Sequence, residues 1–215
     1  MNRAVTIRFA GVLLLKLALL LCCGGVSSDV WAQQVQLITA EGQKQILADP
    51  GTDRVGAAGA DVIIIEYFDY NCPYCKKLAP DLRTLLAQDP KLAILYKEWP
   101  ILSDVSVYAA RQALAAGWQH KYLAAHEALM NGPKLRDDAA VDAALKSAGV
   151  DVVKLKQDAT RHASAIDALL TRNDSEAHAL SLRGTPGIVI GRLLLPGVTD
   201  LDGLKQLVAE SRRSP

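Results

Sequence analysis

The sequence predicts a single α/β domain in which a helical insertion separates two parts of one sheet. Residues 61–69 (DVIIIEYFD) and 92–99 (LAILYKEW) have the β-branched and aromatic character of buried strands. Far downstream, residues 184–197 (GTPGIVIGRLLLPG) predict two short strands around a turn. Between these parts, residues 103–180 are rich in alanine and predict a block of about four helices. The order is βαβ, helices, then ββα, which makes one sheet with an inserted helical subdomain.

Two further helices complete this arrangement. Leucines recur at helical spacing over residues 72–88, so a helix is expected between the first two strands, with Pro80 kinking it. Strand, helix and strand within roughly forty residues make a βαβ unit with parallel pairing. Residues 200–211 predict a last helix, with Asp200 as its N-cap.

The segment before the first strand is expected to be a lead-in rather than a domain. Residues 33–60 are mostly polar or small, and they predict only one short helix, at residues 41–47. We therefore assign residues 61–215 to the domain, with the helical insertion at about 103–180.

The balance of charge excludes several classes of partner. The 215 residues include 24 Lys and Arg against 23 Asp and Glu, and half of the chain is hydrophobic. A near-neutral chain gives no reason to expect nucleic acid, an anionic membrane surface or a strongly charged substrate.

The N-terminus has the pattern of an export signal. Arg3 precedes an apolar run over residues 9–23, and Val30 and Ala32 supply small side chains before a cleavage site. A basic start, a short apolar run and small residues at the cut are typical of a secretory signal peptide. We predict a signal peptide over residues 1–32, cleaved after Ala32, and hence a location in the periplasm or cell envelope.

Export decides how the four cysteines are interpreted. Cleavage removes Cys22 and Cys23, which leaves Cys72 and Cys75 as one pair in an oxidising compartment. Lipid attachment at Cys22 or Cys23 is the alternative, but the bulky Leu21 or Cys22 would then stand where a small residue is expected.

The chemistry is expected at Cys72-Pro73-Tyr74-Cys75, at the start of a helix. Unpaired backbone N–H groups and a partial positive charge at a helix N-terminus stabilise a thiolate, which favours Cys72 as nucleophile and leaving group. A spacing of three on the first turn brings Cys75 within disulfide distance. A substrate thiolate would attack Cys72, and the dipeptide Pro73-Tyr74 would tune the exchange.

Two other interpretations of the pair stay open at this point. A structural disulfide between residues three apart closes a small loop and stabilises little. Half of a zinc site is the second, but the sequence has no second C-x-x-C and its four histidines show no tight ligand spacing.

The segments EYFDYNCPYCKK and GTPGIVIG resemble the thioredoxin superfamily, and specifically the DsbA-like thiol–disulfide oxidoreductases of the bacterial envelope. The resemblance implies a thioredoxin-like fold with a helical insertion. It also implies that Pro186 is cis and lies opposite the C-x-x-C, and that Thr185 and Pro186 shape the peptide groove beside Cys72. An ordinary trans proline opening a strand is the alternative.

Glu66 matches the buried acid of that family, and a buried carboxylate with a raised pKa could relay a proton to or from Cys75. The alternative is a carboxylate paired with a lysine such as Lys97. The aromatic residues around the motif are expected either to form an apolar surface at the thiol or to lie in the core; they are Tyr67, Phe68, Tyr70 and Tyr74. The four histidines are expected on helix surfaces.

The sequence departs from the family's usual pattern at two positions. Gly187 follows the proline where a β-branched or small polar residue is common, and this could loosen the groove. Ser181 stands where a glycine often ends the preceding helix.

The resemblance favours a monomeric oxidase that donates its Cys72–Cys75 disulfide to unfolded or cysteine-containing exported proteins and is reoxidised by a quinone-linked membrane partner. No cofactor or metal is expected beyond this redox-active disulfide. A disulfide isomerase or reductase, kept reduced by a membrane electron donor, is the first alternative. An envelope module that binds Cu(I) through Cys72 and Cys75 is the second.

Overall fold

The computed structural model describes residues 35–48 and 54–213, so the predicted signal peptide lies outside the described residues. The strands are β1 (Gln36–Leu37), β2 (Arg54–Gly56), β3 (Val62–Phe68), β4 (Leu92–Glu98), β5 (Gly187–Ile190) and β6 (Leu193–Pro196). The helices are α1 (Ala40–Leu47), α2 (Pro73–Gln88), α3 (Asp104–Ala116), α4 (Tyr122–Asn131), α5 (Asp138–Ser147), α6 (Val152–Arg161), α7 (Ala163–Ala179) and α8 (Leu201–Arg213), with a 3₁₀ turn over Gly117–Gln119.

The six strands form one sheet in the order β1-β6-β5-β3-β4-β2. β3 pairs in parallel with β4, and α2 connects them, which confirms the predicted βαβ unit. β5 and β6 form an antiparallel hairpin, and β5 also pairs antiparallel with β3. The predicted strand at 61–69 is therefore central, and the two separated parts of the sequence build one sheet.

The lead-in contributes more to the sheet than its sequence predicts. The short helix is present as α1, and Thr39 caps it by accepting a hydrogen bond from the Gly42 N–H at 3.0 Å. The strands on either side of it were not predicted: β1 pairs with β6, and β2 pairs with β4. Strands of two and three residues are too short to show an alternating pattern.

The insertion contains five α-helices and a 3₁₀ turn, α3 to α7, rather than about four helices. The extra helix arises at His162, a single residue that ends α6 and precedes α7. A junction of one residue leaves no loop-like composition, so the two helices look continuous in the sequence.

The two faces of the sheet carry different cores. One face packs against α2, α8 and the insertion, with Ile64, Phe68 and Ile94 among its buried residues. The other face carries Ile65 and Leu95 and is covered by α1 and the end of α7, among other segments. Because successive strand residues point to opposite faces, this alternation decides which side chains of β3 and β4 can meet the active-site helix.

Asp200 caps α8 as expected, since its Oδ1 accepts a hydrogen bond from the Gly203 N–H at 2.9 Å. Pro80 lies inside α2, which continues to Gln88 as predicted, and the kink at Pro80 stays a prediction.

Candidate active site

The C-x-x-C turn lies where β3 leads into α2. Cys72 is the N-cap of α2, Pro73 is its first residue, and the Cys75 N–H donates to the Cys72 sulfur at 3.4 Å. Proline is well suited to the first helical position, where no backbone donor is needed. The N-terminal N–H groups of the helix therefore point at Cys72, as the sequence predicts.

The two cysteines are free thiols in different environments. Cys72 is 3% exposed and Cys75 is fully buried. Hydrogen bonding with the Cys75 thiol, assisted by Thr185 and the backbone of Cys75 and Tyr74, lowers the pKa of Cys72 to about 6 against the opposing effect of burial. Burial raises the pKa of Cys75 far above its ordinary value, and the bond to Cys72 and repulsion by Glu66 add to this. The pair thus combines one easily ionised sulfur with one that strongly holds its proton.

The segment Thr185-Pro186 comes from the far end of the insertion and lies against this pair. The Cys72 thiol donates to the Thr185 carbonyl oxygen at 3.2 Å, and the Thr185–Pro186 peptide bond is cis. The Thr185 hydroxyl is buried, with no hydrogen-bond partner in the part of the chain that the structure describes. It is therefore available to donate to Cys72 once the thiol ionises.

Glu66 lies on β3, on the face of the sheet that meets α2. The side chain is 1% exposed, and its Oε1 atom has no hydrogen-bond partner among residues 35–48 and 54–213. Burial raises the pKa of Glu66 to about 8, and the negative charge of Cys72 adds to the rise. The structure thus brings Glu66 into electrostatic contact with both cysteines.

The alternative in which Glu66 pairs with Lys97 is wrong. Glu66 is opposite Tyr96 in the parallel register, whereas Lys97 is opposite Tyr67, so Lys97 lies on the other face of the sheet. There its ammonium group pairs with Glu176 at 2.6 Å.

The aromatic residues around the motif divide into core and surface. Tyr67, Phe68 and Tyr70 are buried, and only Tyr74 is exposed, at 59%. Tyr74 and the exposed Pro73 are therefore the motif residues that an incoming chain meets.

A buried polar cluster behind the active site was missed by sequence reasoning. The hydroxyl of Tyr122 donates to Glu98 Oε1 at 2.7 Å, and the hydroxyl of Tyr70 lies 3.5 Å from Glu98 Oε1 and 3.2 Å from His126 Nδ1. Burial raises the pKa of Glu98 to about 7 and lowers that of His126 to about 3. The expectation that all histidines lie on helix surfaces is wrong for His126, which sits in the apolar run YLAAHEALM, the one signal of burial.

Gly187 has a packing reason for its departure from the family pattern. A Cβ atom at this position would lie 2.4 Å from Leu182 Cδ1. The missing side chain makes room for Leu182, which is buried in the core on the far face of the sheet.

Two searches of the described residues bear on metals and membranes. No group of three or more His, Cys, Asp and Glu side chains is placed to hold a metal ion in residues 35–48 and 54–213. Within the same ranges, no helix has both the length and the hydrophobicity needed to cross a membrane.

This chain is similar in sequence and in structure to known proteins. Residues 63–209 match the family model described as a DSBA-like thioredoxin domain. The chain belongs to the DsbA-like thioredoxin domain family. Members of this family are thiol–disulfide oxidoreductases, and the match includes the C-x-x-C turn, the helical insertion and the Thr185-Pro186 segment.

Solved structures agree with this family. A thioredoxin-like oxidoreductase from Silicibacter pomeroyi is 32% identical with a TM-score of 0.76, over 83% of this chain and 100% of that one. The catalytic domain of Proteus mirabilis ScsC is 30% identical with a TM-score of 0.72, over 81% and 97%. The thiol–disulfide exchange protein α-DsbA2 from Wolbachia pipientis is 26% identical with a TM-score of 0.72, over 79% and 95%.

The curated relatives are longer proteins. Na⁺/H⁺ antiporter NhaA 1 from Salinispora arenicola is 37% identical over 86 residues, and its namesake from Mycolicibacterium vanbaalenii is 26% identical over 172 residues. The matched regions make up 38% and 77% of this chain but only 13% and 27% of those proteins. The likeness therefore concerns one part of each antiporter.

Proposed function

We propose that this protein is an exported thiol–disulfide oxidoreductase that donates a Cys72–Cys75 disulfide to cysteine-containing proteins of the cell envelope. The observation that carries the proposal is the inequality of the two sulfurs: Cys72 is capped by helix N–H groups and has a pKa lowered to about 6, whereas Cys75 is fully buried. A stable Cys72 thiolate favours the reduced form of the pair, which makes the disulfide a better oxidant.

Oxidation of a substrate takes two steps that balance. A substrate thiolate attacks the Cys72 sulfur, the Cys72–Cys75 bond breaks, and Cys75 leaves as a thiolate. A second substrate thiolate then attacks the substrate sulfur of the mixed disulfide, and Cys72 leaves. The substrate loses two electrons and gains a disulfide, while the pair gains the same two electrons.

Glu66 supplies the proton in the first step. With a pKa of about 8, its carboxyl group is mostly protonated near neutral pH, and it faces the buried Cys75 electrostatically. A thiolate formed at Cys75 has no access to water, so a proton from Glu66 neutralises it and leaves Glu66 charged. The reverse transfer accompanies reoxidation.

Thr185 and Pro186 are proposed to position the substrate. The Thr185 carbonyl lies 3.2 Å from the Cys72 sulfur, so a chain bound along this segment places its own sulfur near Cys72. The exposed Tyr74 and Pro73 form the adjacent surface and tune the exchange from within the motif.

The direction of electron flow separates the proposal from its alternatives. A donor of disulfides is reoxidised by a quinone-linked membrane partner and is found mostly as the disulfide in cells, whereas an isomerase or reductase is found mostly as the dithiol. Trapping by thiol alkylation of whole cells measures this ratio. Stoichiometric copper after purification without reductant, together with no activity in RNase refolding, would instead indicate a Cu(I)-binding module.

Substitution of the buried cysteine tests the assigned roles. In Cys75→Ser, Cys72 can still form a mixed disulfide with a substrate. The sulfur that resolves this mixed disulfide is missing, so mixed disulfides should accumulate. Non-reducing electrophoresis followed by mass spectrometry identifies the linked residue. Cys72→Ser is the matched control and should trap none, because Cys75 is fully buried. Failure of Cys75→Ser to trap any substrate at Cys72 would contradict the mechanism.

A further inference from the structure

The residue before the C-x-x-C turn is fastened to the helical insertion. Asn71 Nδ2 donates to the Leu135 carbonyl oxygen at 3.1 Å, and the Leu135 N–H donates to Asn71 Oδ1 at 2.9 Å. Leu135 lies in the connection between α4 and α5, and both residues are buried. A side-chain amide that meets one residue's donor and acceptor at once fixes that backbone in place.

The residue after the turn is fastened to the end of α4, where the same connection begins. The ammonium group of Lys76 donates to three carbonyl oxygens at the end of α4, those of Leu129 at 2.6 Å, Met130 at 3.3 Å and Gly132 at 3.1 Å. The last carbonyls of a helix have no partner within the helix, and a positive charge there is favourable. Lys76, which lies in the first turns of α2, thus caps the C-terminal end of α4.

The charge on Lys76 is held in a partly buried position. Burial lowers the pKa of Lys76, and the nearby Cys75 and Asp69 oppose this shift only in part. The carboxylate of Asp69 is itself occupied, because it accepts from the Asn71 N–H at 2.7 Å and the Leu102 N–H at 3.0 Å. The ammonium group is therefore held mainly by the carbonyls of the insertion.

We infer that Asn71 and Lys76 are positioning residues that clamp the first turn of α2 to the end of α4 and the α4–α5 connection, and so hold the N–H groups of that turn against the Cys72 sulfur. The five hydrogen bonds bracket the four-residue motif on both sides. The insertion then acts on the reaction by fixing the turn that carries the Cys75 thiol, the main hydrogen-bond partner of Cys72, and the assisting backbone N–H groups of Cys75 and Tyr74. This inference rests on the proposed function only for its consequence in catalysis.

The test compares adjacent lysines. Lys76→Met keeps the apolar stem but removes the clamp, and Lys77→Met is the matched control, since Lys77 is exposed on the same helix. In the reduced protein, the thiolate absorbance of Cys72 is titrated with pH. For Lys76→Met we expect the midpoint to rise from about 6, with a roughly tenfold loss of thiolate at pH below the midpoint. Lys77→Met should titrate like the wild type.

A neutral variant separates position from charge. Asn71→Ala removes the two bonds to Leu135 without changing any charge, so it should raise the midpoint in the same direction. Hydrogen exchange of residues 129–135 should accelerate in Lys76→Met and Asn71→Ala alike. Asn71→Ala also keeps the inference testable if Lys76→Met fails to fold.

Two outcomes would overturn the inference. A midpoint that moves in Lys76→Met but not in Asn71→Ala would mean that charge alone acts, and faster exchange with an unchanged midpoint would mean that the contact is only structural. None of these measurements uses a substrate. If the wild-type protein shows no disulfide donation, the proposed function is wrong, but the inference about the clamp is unaffected.

Discussion

The buried carboxyl group of Glu66 carries a cost in stability. A carboxyl group with 1% exposure and an oxygen lacking a hydrogen-bond partner among the described residues loses the hydration it has in the unfolded chain. Such a group is destabilising unless it is neutral, and its raised pKa shows that folding favours the protonated form. The fold retains this cost at a position where an exchanging sulfur pair needs a proton.

The pH dependence of stability should reveal this cost. The pKa of Glu66 rises from 4.5 to about 8 on folding, so between these values the folded state binds the proton more tightly than the unfolded state. Stability from this group is therefore greatest below pH 4.5 and is lost as pH rises towards 8. We expect Glu66→Gln to be more stable than wild type at pH 8.5 by roughly 2–4 kcal/mol more than at pH 5.

Urea denaturation of the reduced proteins, which have the free thiols seen in the structure, measures this difference. Glu98 also has a raised pKa, but it is present in both proteins and cancels. Glu41→Gln removes an exposed carboxylate and is the control. An equal gap between wild type and Glu66→Gln at both pH values would mean that Glu66 is not the group that titrates. If the rate of thiol–disulfide exchange has the same pH profile in Glu66→Gln as in the wild type, the proposed proton relay is wrong.

The site residues differ in how far the sequence predicts them. Cys72 and Cys75 follow from spacing and helix position, and the structure brings them together with Glu66, Thr185 and Pro186 as the family resemblance implies. The partners of Asn71 and Lys76 do not follow, because each binds backbone atoms of a segment that is more than fifty positions away. Backbone carbonyls carry no sequence signature.

At the scale of elements, α7 ends in a common arrangement but with an unusual residue in it. The Leu182 N–H donates to the Ala177 carbonyl at 3.0 Å and the Ser181 N–H to the His178 carbonyl at 2.9 Å, which is the Schellman arrangement. Ser181 takes the left-handed position with φ of 58°, where glycine is usual. The family resemblance draws attention to this position, because it implies a glycine where this sequence has Ser181.

Ser181→Gly should therefore stabilise the protein. A left-handed conformation costs a residue with a Cβ about 1–2 kcal/mol, and glycine's extra freedom in the unfolded chain offsets part of that relief. We expect a gain of about 0.5 kcal/mol in the free energy of unfolding, measured by urea denaturation. Ser175→Gly, inside α7 and exposed, should lose roughly the same amount. A loss in both variants would show that Ser181 is not strained.

Element prediction from sequence succeeded where periodicity was long and failed where it was short. The buried run of β3 and the leucines of α2 extend over seven and sixteen residues, and both elements are where the patterns place them. β1 and β2 have two and three residues and gain their identity only from the strands they pair with. Tertiary pairing, rather than local preference, makes them strands.

For the whole molecule, the insertion and the sheet share one core. The buried cluster that includes Ile64 of β3 and Leu78 of α2 also includes Ala113, Leu129 and Val141 of the insertion. A hydrophobic core that crosses the boundary between the two parts couples their unfolding. We expect a single cooperative transition.

Of the three tryptophans, Trp31 lies in the predicted signal peptide, so in the protein without residues 1–32 the other two serve as reporters. Trp99 follows β4 and donates to Asp174 of α7 at 2.9 Å, so it lies where the sheet meets the insertion. Trp118 lies within the insertion, half-exposed and stacked on His162. With Trp118→Phe the fluorescence reports on the contact between β4 and α7, and with Trp99→Phe on the interior of the insertion. Within each variant, the fluorescence and far-UV circular dichroism midpoints in urea should coincide. An earlier fluorescence transition in Trp99→Phe would show that the insertion unfolds by itself.

The lead-in segment also determines how much unpaired backbone the edges of the sheet expose to other chains. Both outermost strands, β1 and β2, come from this segment, and they flank the sheet on opposite sides with two and three residues. A long unpaired margin is a template onto which an unfolded chain can add as an extra strand and start aggregation. Here the longer strands β6 and β4 are each covered in part by a short outer strand. A protein proposed to exchange disulfides with unfolded chains thereby gives them little backbone to adhere to, and contact is directed towards the sulfur.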